Sequence, residues 1–406
     1  MNSSIGELKL EWAYEHMDVL RAVRERFRDE KPFDGLKIGM ALHVEAKTGI
    51  LALTLRDGGA RVRLASCNPL STDDSVVEAL RFQGLQVFAR KGESREEYYE
   101  NLHKVLEIEP DIIIDDGGDL TTLLHKDYTH IPVLGGNEET TTGVLRLRVM
   151  EKKGVLRFPM FDVNDAKMKH LFDNRYGTGQ STLDGIMSAT NLTIAGKTVV
   201  VAGYGWCGRG IAMRMRGMGA NVIVTEVDAI KAIEARMDGF RVMRMIDAIR
   251  EADFVITATG MKDVVREEHI LAAKNGCILA NSGHFDNEIS KRDLERLSRR
   301  KRKVREYVEE YEIGGKKIYL LGDGRLINLV AGQGHPVEIM DMSFAIQALT
   351  AEYIAKNHRY LKNKVYPVPR EIDYYVARLK LKAMGIEIDA LTEEQRKYLE
   401  EWEEGT

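Results

Sequence analysis

The sequence predicts an α/β protein of two domains, each built on a parallel sheet, with a small helical C-terminal tail. Three observations predict it. At 406 residues the chain exceeds what one hydrophobic core ordinarily organises, so two units of roughly 150 to 200 residues are expected. Short apolar runs alternate with longer helical stretches in two separate series, one beginning at Lys37 and the other at Thr198. A glycine fingerprint follows the first run of the second series.

Taken in order, residues 8–27 carry Trp12, Val19, Leu20, Val23 and Phe27 at helical spacing, which predicts an opening amphipathic helix. Lys37 to His43, Arg61 to Cys67, Leu85 to Ala89 and Asp111 to Asp115 read as strands of the first sheet. Thr198 to Ala202, Asn221 to Thr225, Asp253 to Thr257 and Cys277 to Ala280 read as strands of the second. Between the series, residues 173–179 form a polar, glycine-containing segment suited to a connection that flexes. A return crossing is expected at Gly332-Gln333-Gly334-His335-Pro336, where glycine permits unusual backbone angles and proline punctuates the chain. Domain limits of 1–174 with 336–370, then 175–335, follow. Residues 371–406, with Ile372, Val376 and Leu379, read as a helical extension.

A net charge of −4 offers no general basic surface, which argues against nucleic acid or an anionic membrane as partner and for a small-molecule substrate. The chain opens without a basic segment followed by an apolar one, and it has no run of about 18 apolar residues, so a cytoplasmic protein is expected. Cys67, Cys207 and Cys277 are odd in number and lack paired short spacings; they read as buried thiols, with no metal site.

Thr198 to Ala202 leads directly into Gly203-Tyr204-Gly205-Trp206-Cys207-Gly208, and a helical stretch starts at Arg209. This places G-x-G-x-x-G in a strand-turn-helix context, where bare backbone approaches a pyrophosphate and a helix N-terminus faces its charge. Glu226 stands 18 residues beyond Gly208, at the end of the next apolar run. A carboxylate there accepts hydrogen bonds from ribose hydroxyls and repels a 2′-phosphate, so the cofactor is read as NAD, bound by a Rossmann-type domain.

Dense polar clusters occupy His43 to Thr48, Asp115 to Asp119, Glu138 to Thr142, Asn164 to Asn174, Asn281 to His284 and Asn328 to His335. Singly, each reads as a turn or a helix cap. Beside a nicotinamide site, they together call for a substrate rich in hydroxyls.

Asp115-Asp116-Gly117-Gly118-Asp119-Leu120-Thr121, Glu138-Glu139-Thr140-Thr141-Thr142-Gly143, Phe172-Asp173-Asn174, Val201-Ala202-Gly203-Tyr204-Gly205, Gly283-His284-Phe285 and Gly334-His335-Pro336 follow one another through almost the whole chain. In these motifs the sequence resembles the S-adenosylhomocysteine hydrolase family. The resemblance implies a homotetramer whose subunits each hold a substrate domain, an NAD domain and a small C-terminal piece. It also implies that NAD is used catalytically: oxidation of the ribose 3′-hydroxyl acidifies the C4′ hydrogen, homocysteine is eliminated, water adds at C5′, and the ketone is reduced again.

Carried onto matching positions, the family's roles assign Lys169 with Asp173 to the 3′-hydroxyl proton, the lysine acting as base only where its surroundings depress its pKa. They assign His43 and Asp116 to proton transfers at C4′ and C5′, Glu139 and Thr140 to ribose hydroxyls, and Asn174 to the space between substrate and nicotinamide. His284 and His335 would close over the homocysteine end. Glu45, Lys47 and Thr48 would also touch the substrate. Thr140, Thr141, Thr142, Gly203, Gly205, Gly208, Glu226 and Asn328 would hold the cofactor.

Two departures matter. Most of the family reads His-x-Thr-x-Glu where this chain reads His43-Val44-Glu45-Ala46-Lys47. If that stretch is extended, His43, Glu45 and Lys47 share a side. Lysine has donors only, so Lys47 suits the C6 carbonyl of hypoxanthine and clashes with the amino group of adenine, while Glu45 accepts from N1–H of hypoxanthine. S-inosylhomocysteine is therefore expected to be preferred over S-adenosylhomocysteine; the alternative is a strict S-adenosylhomocysteine hydrolase, in which Lys47 pairs with Glu45 or a helix neighbour and the purine is read elsewhere. The second departure is Glu401-Trp402-Glu403-Glu404-Gly405-Thr406, which lacks the Lys and Tyr tail with which many family members reach a neighbour's NAD. Two other functions compete. An ordinary NAD-dependent dehydrogenase would release its reduced cofactor and has no need of the clusters at 115–119 and 138–142. A non-catalytic NAD-binding relative would be expected to have lost catalytic residues, yet Lys169, Asp173, His43 and His284 are present.

Overall fold

The computed structural model describes residues 4–402. Its first sheet holds β1 (Lys37–Ala41), β2 (Arg61–Ala65), β3 (Gln86–Phe88), β4 (Ile112–Asp115), β5 (Gly135–Glu138) and β6 (Met160–Asp162), joined at one edge by a late strand, Val365–Pro367. All its pairings are parallel. Ile112, Ile113 and Ile114 show why: all three are fully buried, as a strand covered on both faces requires. From β1 the order runs outward through β2 to β3 on one side and through β4, β5 and β6 on the other. The ends of β1 and β4 thus flank a topological switch point, where a crevice opens.

The second sheet repeats the device. Its strands are β7 (Thr198–Ala202), β8 (Asn221–Thr225), β9 (Arg241–Val242), β10 (Phe254–Thr257), β11 (Ile278–Asn281), β12 (Arg300–Arg305), β13 (Val308–Ile313) and β14 (Lys316–Leu321). The order is β12-β13-β14-β11-β10-β7-β8-β9, with the switch between β7 and β10. β12 to β14 form an antiparallel meander beyond the expected strands. Its outer strand is exposed and basic, and it pairs charges across the ladder, with Arg302 opposite Glu310 at 2.6 Å.

Several expectations are corrected. The single opening helix is two, Ile5–Glu15 and Asp18–Glu30, broken at Met17 (φ −114°, ψ 63°). Val19, Leu20, Val23 and Phe27 are buried as predicted, but Trp12 is 64% exposed. The segment at 173–179 is wound as a π-turn, Asp173–Gly177, running into the helix Thr178–Thr190. Its glycines admit neighbours: a Cβ on Gly179 would lie 2.5 Å from the Gly210 carbonyl oxygen. The return crossing does turn through a left-handed glycine, Gly334 at φ +73°, and Pro336 caps the helix Val337–Asn357. The helix Arg370–Ala383 buries Val376 in the first core, and residues 385–402 beyond it are exposed. The altered C-terminal tail falls largely at 403–406, outside the described residues. Among the described residues no helix is long and apolar enough to cross a membrane.

The long helix Val337–Asn357 also organises the first unit. Its Asp341, fully buried, accepts from Val19 N at 3.2 Å and Leu20 N at 2.8 Å, capping a helix that has no side-chain cap of its own. Lys380 Nζ balances the charge at 3.2 Å. Asp341→Ala would leave two amides unpartnered and the Lys380 ammonium with the Glu338 carbonyl but no carboxylate, so chemical denaturation should show a loss of about 2 to 4 kcal/mol, with Asp341→Asn losing less.

Candidate active site

Both switch points open into one cleft of about 1110 Å³. Every residue singled out from the sequence lines it except Gly208. Gly208 acts behind the wall: a Cβ there would lie 1.9 Å from the Gly203 carbonyl oxygen, so the bare α-carbon lets the helix Trp206–Gly217 pack against the turn.

At the second sheet's end of the cleft, Gly203 takes φ +97°, and a Cβ on it would lie 2.8 Å from the Ala258 carbonyl oxygen of the neighbouring strand end. Gly205 has nothing within 4 Å of its Cβ position, leaving bare backbone at the helix start, which carries no side-chain cap. Glu226 Oε2 accepts from Tyr204 N at 2.7 Å, and its Oε1 accepts from Val227 N at 2.7 Å and Asp228 N at 3.1 Å. The carboxylate is thereby fixed at the end of β8 with one lone pair, on Oε2, left for a ribose hydroxyl. Asn328 Oδ1 and Thr142 Oγ1 are buried without partners. These are the donors, acceptors and clearances an NAD dinucleotide needs, so the residues present fit that cofactor.

Between the sheets lies a charged cage. Lys169 Nζ donates to Asn164 Oδ1 at 3.0 Å and Asn174 Oδ1 at 2.9 Å, and it lies 3.6 Å from both Glu139 Oε1 and Asp173 Oδ1. Asp173 also meets His335 Nε2 at 3.2 Å and accepts from Ser343 Oγ at 2.7 Å, while Glu139 accepts from Gln347 Nε2. Burial works against the ammonium, but Asp173 and Glu139 outweigh it and hold Lys169 well above the ordinary lysine range. The expected condition for a lysine base is therefore not met in this arrangement. Burial likewise opposes ionised Asp173, yet Lys169 and His335 keep that carboxyl far below its usual range. Glu139 is pushed up to about 8 by burial, with Asp173 and Asp116 adding to the shift and Lys169 opposing it.

At the first sheet's end, His43 Nε2 lies 3.4 Å from Asp116 Oδ2, and His284 Nδ1 lies 3.6 Å from Asp116 Oδ1. The three ligand atoms fall within 4.8 Å of one another, a spacing that serves a proton relay or a cation. His284 belongs to the second sheet's unit, so this contact closes the cleft across the two. His335 pairs with Asp173 and is near enough to His43 to act on its charge. Gly177 leaves room for the His335 ring, 2.6 Å from where a Cβ would be, and the ring settles at the lysine cage. Thr141 Oγ1 accepts from Asn164 Nδ2 at 2.9 Å, tying the cofactor side to the cage.

The extended reading of 43–47 is also corrected. β1 ends at Ala41, Glu45 caps the helix Ala46–Asp57 by accepting from Lys47 N at 3.0 Å, and Lys47 sits in its first turn. Lys47 Nζ pairs with Glu45 Oε2 at 3.1 Å and donates to the Gln333 carbonyl at 3.0 Å; Thr48 Oγ1 donates to the His43 carbonyl at 2.6 Å.

Sequence reasoning named Glu138 within a cluster and a motif but gave it no role, and it passed over Ser343 and Gln347. Glu138, fully buried, accepts from Gly117 N at 2.8 Å and Thr140 N at 3.0 Å, joining the loops that bear Asp116 and Glu139. The available signal for Ser343 and Gln347 was two polar residues four apart in an apolar helix.

Burial lowers His43 from 6.5 to about 4, against the opposing pull of Asp116. A group whose folded pKa is depressed contributes stability above its unfolded value, and that stability is lost as pH falls toward the folded value, here between 6.5 and about 4. Urea denaturation should therefore show the unmutated protein losing roughly 1 to 2 kcal/mol more than His43→Asn between pH 7 and pH 5.

Comparison with known proteins accords with this geometry. The family profile described as S-adenosyl-L-homocysteine hydrolase matches residues 1–134, and that described as S-adenosyl-L-homocysteine hydrolase, NAD binding domain, matches residues 174–334. The chain is 67% identical to an adenosylhomocysteinase of Thermoplasma volcanium, over 99% of both chains. It is 63% identical to an S-inosyl-L-homocysteine hydrolase of Methanocaldococcus jannaschii, over 99% of this chain and 97% of that one. Among solved structures, a dipicolinate synthase of Bacillus halodurans shares the fold, with TM-score 0.50 and 14% identity over 80% of this chain and 99% of that one. With both profiles matched in order and relatives this close over the full length, the chain belongs to the S-adenosyl-L-homocysteine hydrolase family, as a hydrolase that carries NAD.

Proposed function

We propose that the protein reversibly hydrolyses an S-nucleosyl-L-homocysteine to nucleoside and L-homocysteine, and that the inosyl compound is its preferred substrate. One observation carries the reading: a single cleft joins the dinucleotide end at Gly203 and Glu226 to the Lys169 cage and to the His43–Asp116–His284 cluster. NAD, when bound, supplies reversible oxidation at C3′ of the ribose, which acidifies the C4′ hydrogen. Lys169, held as a cation, stabilises negative charge developing on the 3′-oxygen. Glu139, with a pKa of about 8, takes and returns the hydroxyl proton. Asp173 holds the lysine in place, and Asn174 fixes it from the cofactor side. His43, neutral at pH 7, accepts the C4′ proton, and Asp116 orients it while His284 covers the C5′ end where homocysteine leaves and water adds.

The base is read at Lys47 and Glu45. Lys47 is buried in the cleft wall and its ammonium has three donors, two of them engaged by Glu45 and Gln333. A 6-oxopurine offers that group an acceptor and offers Glu45 an N–H, whereas a 6-aminopurine turns its own donors toward the ammonium. The discrimination expected from such a mismatch is about 1 to 3 kcal/mol. The M. jannaschii relative bears the inosyl name and the T. volcanium relative the adenosyl one, so identity alone does not choose. We also read the enzyme as a cytoplasmic homotetramer; Ile230 and Met237, 73% and 81% exposed on one helix beside the cleft, support a contact between protomers there.

Thiol release measured with added NAD should give the S-inosyl compound a kcat/KM at least about tenfold above the S-adenosyl compound, and Lys47→Gln, whose amide both donates and accepts, should narrow that ratio. Preference for the adenosyl compound would remove the base assignment and keep the hydrolase; no thiol from either would remove both.

A further inference from the structure

The helix Val337–Asn357 is packed against both the first core and the cage, and most of its buried residues are apolar. Ser343 and Gln347 are exceptions, each fully buried and one turn apart on the same stripe. Placing a hydroxyl and an amide at such positions is unfavourable unless partners meet them. Their partners are the two carboxyls that flank Lys169. Ser343 Oγ donates to Asp173 Oδ2 at 2.7 Å, and Gln347 Nε2 donates to Glu139 Oε2. Gln347 is itself registered on the sheet, because its backbone carbonyl accepts from Asn137 Nδ2 at 2.9 Å, two residues before Glu139 on the chain. The helix begins at Val337, directly after His335 and Pro336, and His335 Nε2 meets the other oxygen of Asp173 at 3.2 Å. One rigid element thus reaches both carboxyls and the return crossing.

We propose that Ser343 and Gln347 are positioning residues for oxidation at C3′: Ser343 holds Asp173 as the fixed counter-ion of Lys169, and Gln347 holds Glu139 where it exchanges the hydroxyl proton. This rests on the hydrolase reading above. The geometry makes the two carboxyls unequal. Asp173 is met on both oxygens, by Lys169 and His335 on one and Ser343 on the other. Glu139 has only Lys169 at 3.6 Å on Oε1, the oxygen left for a substrate hydroxyl, and Gln347 on Oε2. The charged groups facing Glu139 are Lys169, Asp173 and Asp116; the charged and titratable groups facing Asp173 are Lys169, His335, Glu139, His43 and Cys207. Both donated hydrogen bonds favour the ionised carboxyl, so deleting either donor moves the carboxyl it serves toward higher pKa.

The test uses the NAD-loaded full chain and inosine or adenosine, following formation of reduced cofactor by stopped-flow absorbance between about pH 6 and pH 9.5. Ser343→Ala and the near-isosteric Gln347→Met should each slow that step by about tenfold or more, with KM for the nucleoside changed less than about threefold, and Gln347→Met should also shift a limb of the pH–rate profile upward through Glu139. Ser343→Thr, which keeps the hydroxyl, should recover to within about threefold of the unmutated rate. Rates within about twofold for the deletions would overturn the inference, as would a slow Gln347→Met step that keeps its pH limbs or a slowing by Ser343→Ala that merely follows a fall in Tm. If the unmutated enzyme forms no reduced cofactor with either nucleoside, it is the hydrolase reading that fails.

Discussion

The structure depends on a buried ammonium. Lys169 is 4% exposed, and an isolated cation there would cost more than the fold could sustain, so the surroundings must supply compensation from several directions. Two asparagine oxygens accept its hydrogens and two carboxyls neutralise it. These partners come from three different places: Glu139 from the end of β5, Asp173 and Asn174 from the π-turn, and Asn164 from the loop after β6. Satisfying one charge therefore pins the loops of the first sheet to the segment that crosses toward the second.

The same requirement shapes the backbone. The widened turn Asp173–Gly177 keeps Asp173 within 3.6 Å of Lys169 while its end, at Gly177, accepts the His335 ring. At the other switch point the constraint is steric, since Gly203 and Gly208 hold strand, turn and helix closer than any side chain allows. Charge compensation at one end and bare backbone at the other leave a cleft walled by both units, with His284 of the second reaching Asp116 of the first.

Where sequence reasoning worked, local physics decided the outcome. Ile112 to Ile114 and Val199 to Ala202 are buried on both faces and could only be central strands. Glu226 follows β8 because the fingerprint and the next strand have a fixed spacing. Where it failed, distant residues intervened. β5 is Gly-Gly-Asn-Glu, with no strand-forming side chain; it is a strand because Gly136 lies against Ile113, whose Cγ1 would be 2.4 Å from an added Cβ. The opening helix breaks at Met17 because Asp341, more than three hundred residues away, caps the second half. Lys47 left the strand-like alternation because β1 ends at Ala41 and Glu45 accepts from Lys47 N as the cap of a helix.

The sequence by itself determined the α/β class, the two sheets, the dinucleotide turn and the membership of nearly every polar group in the cleft, because each is written in short-range spacing or in long motifs. Only the tertiary structure decided how those groups combine. It put His335 with Asp173 and His284 with Asp116, left Lys169 charged, and brought Ser343 and Gln347 to the carboxyls beside it. The physical reason is that pKa, hydrogen-bond partner and dielectric belong to a neighbourhood assembled from both ends of the chain, and no local pattern encodes them.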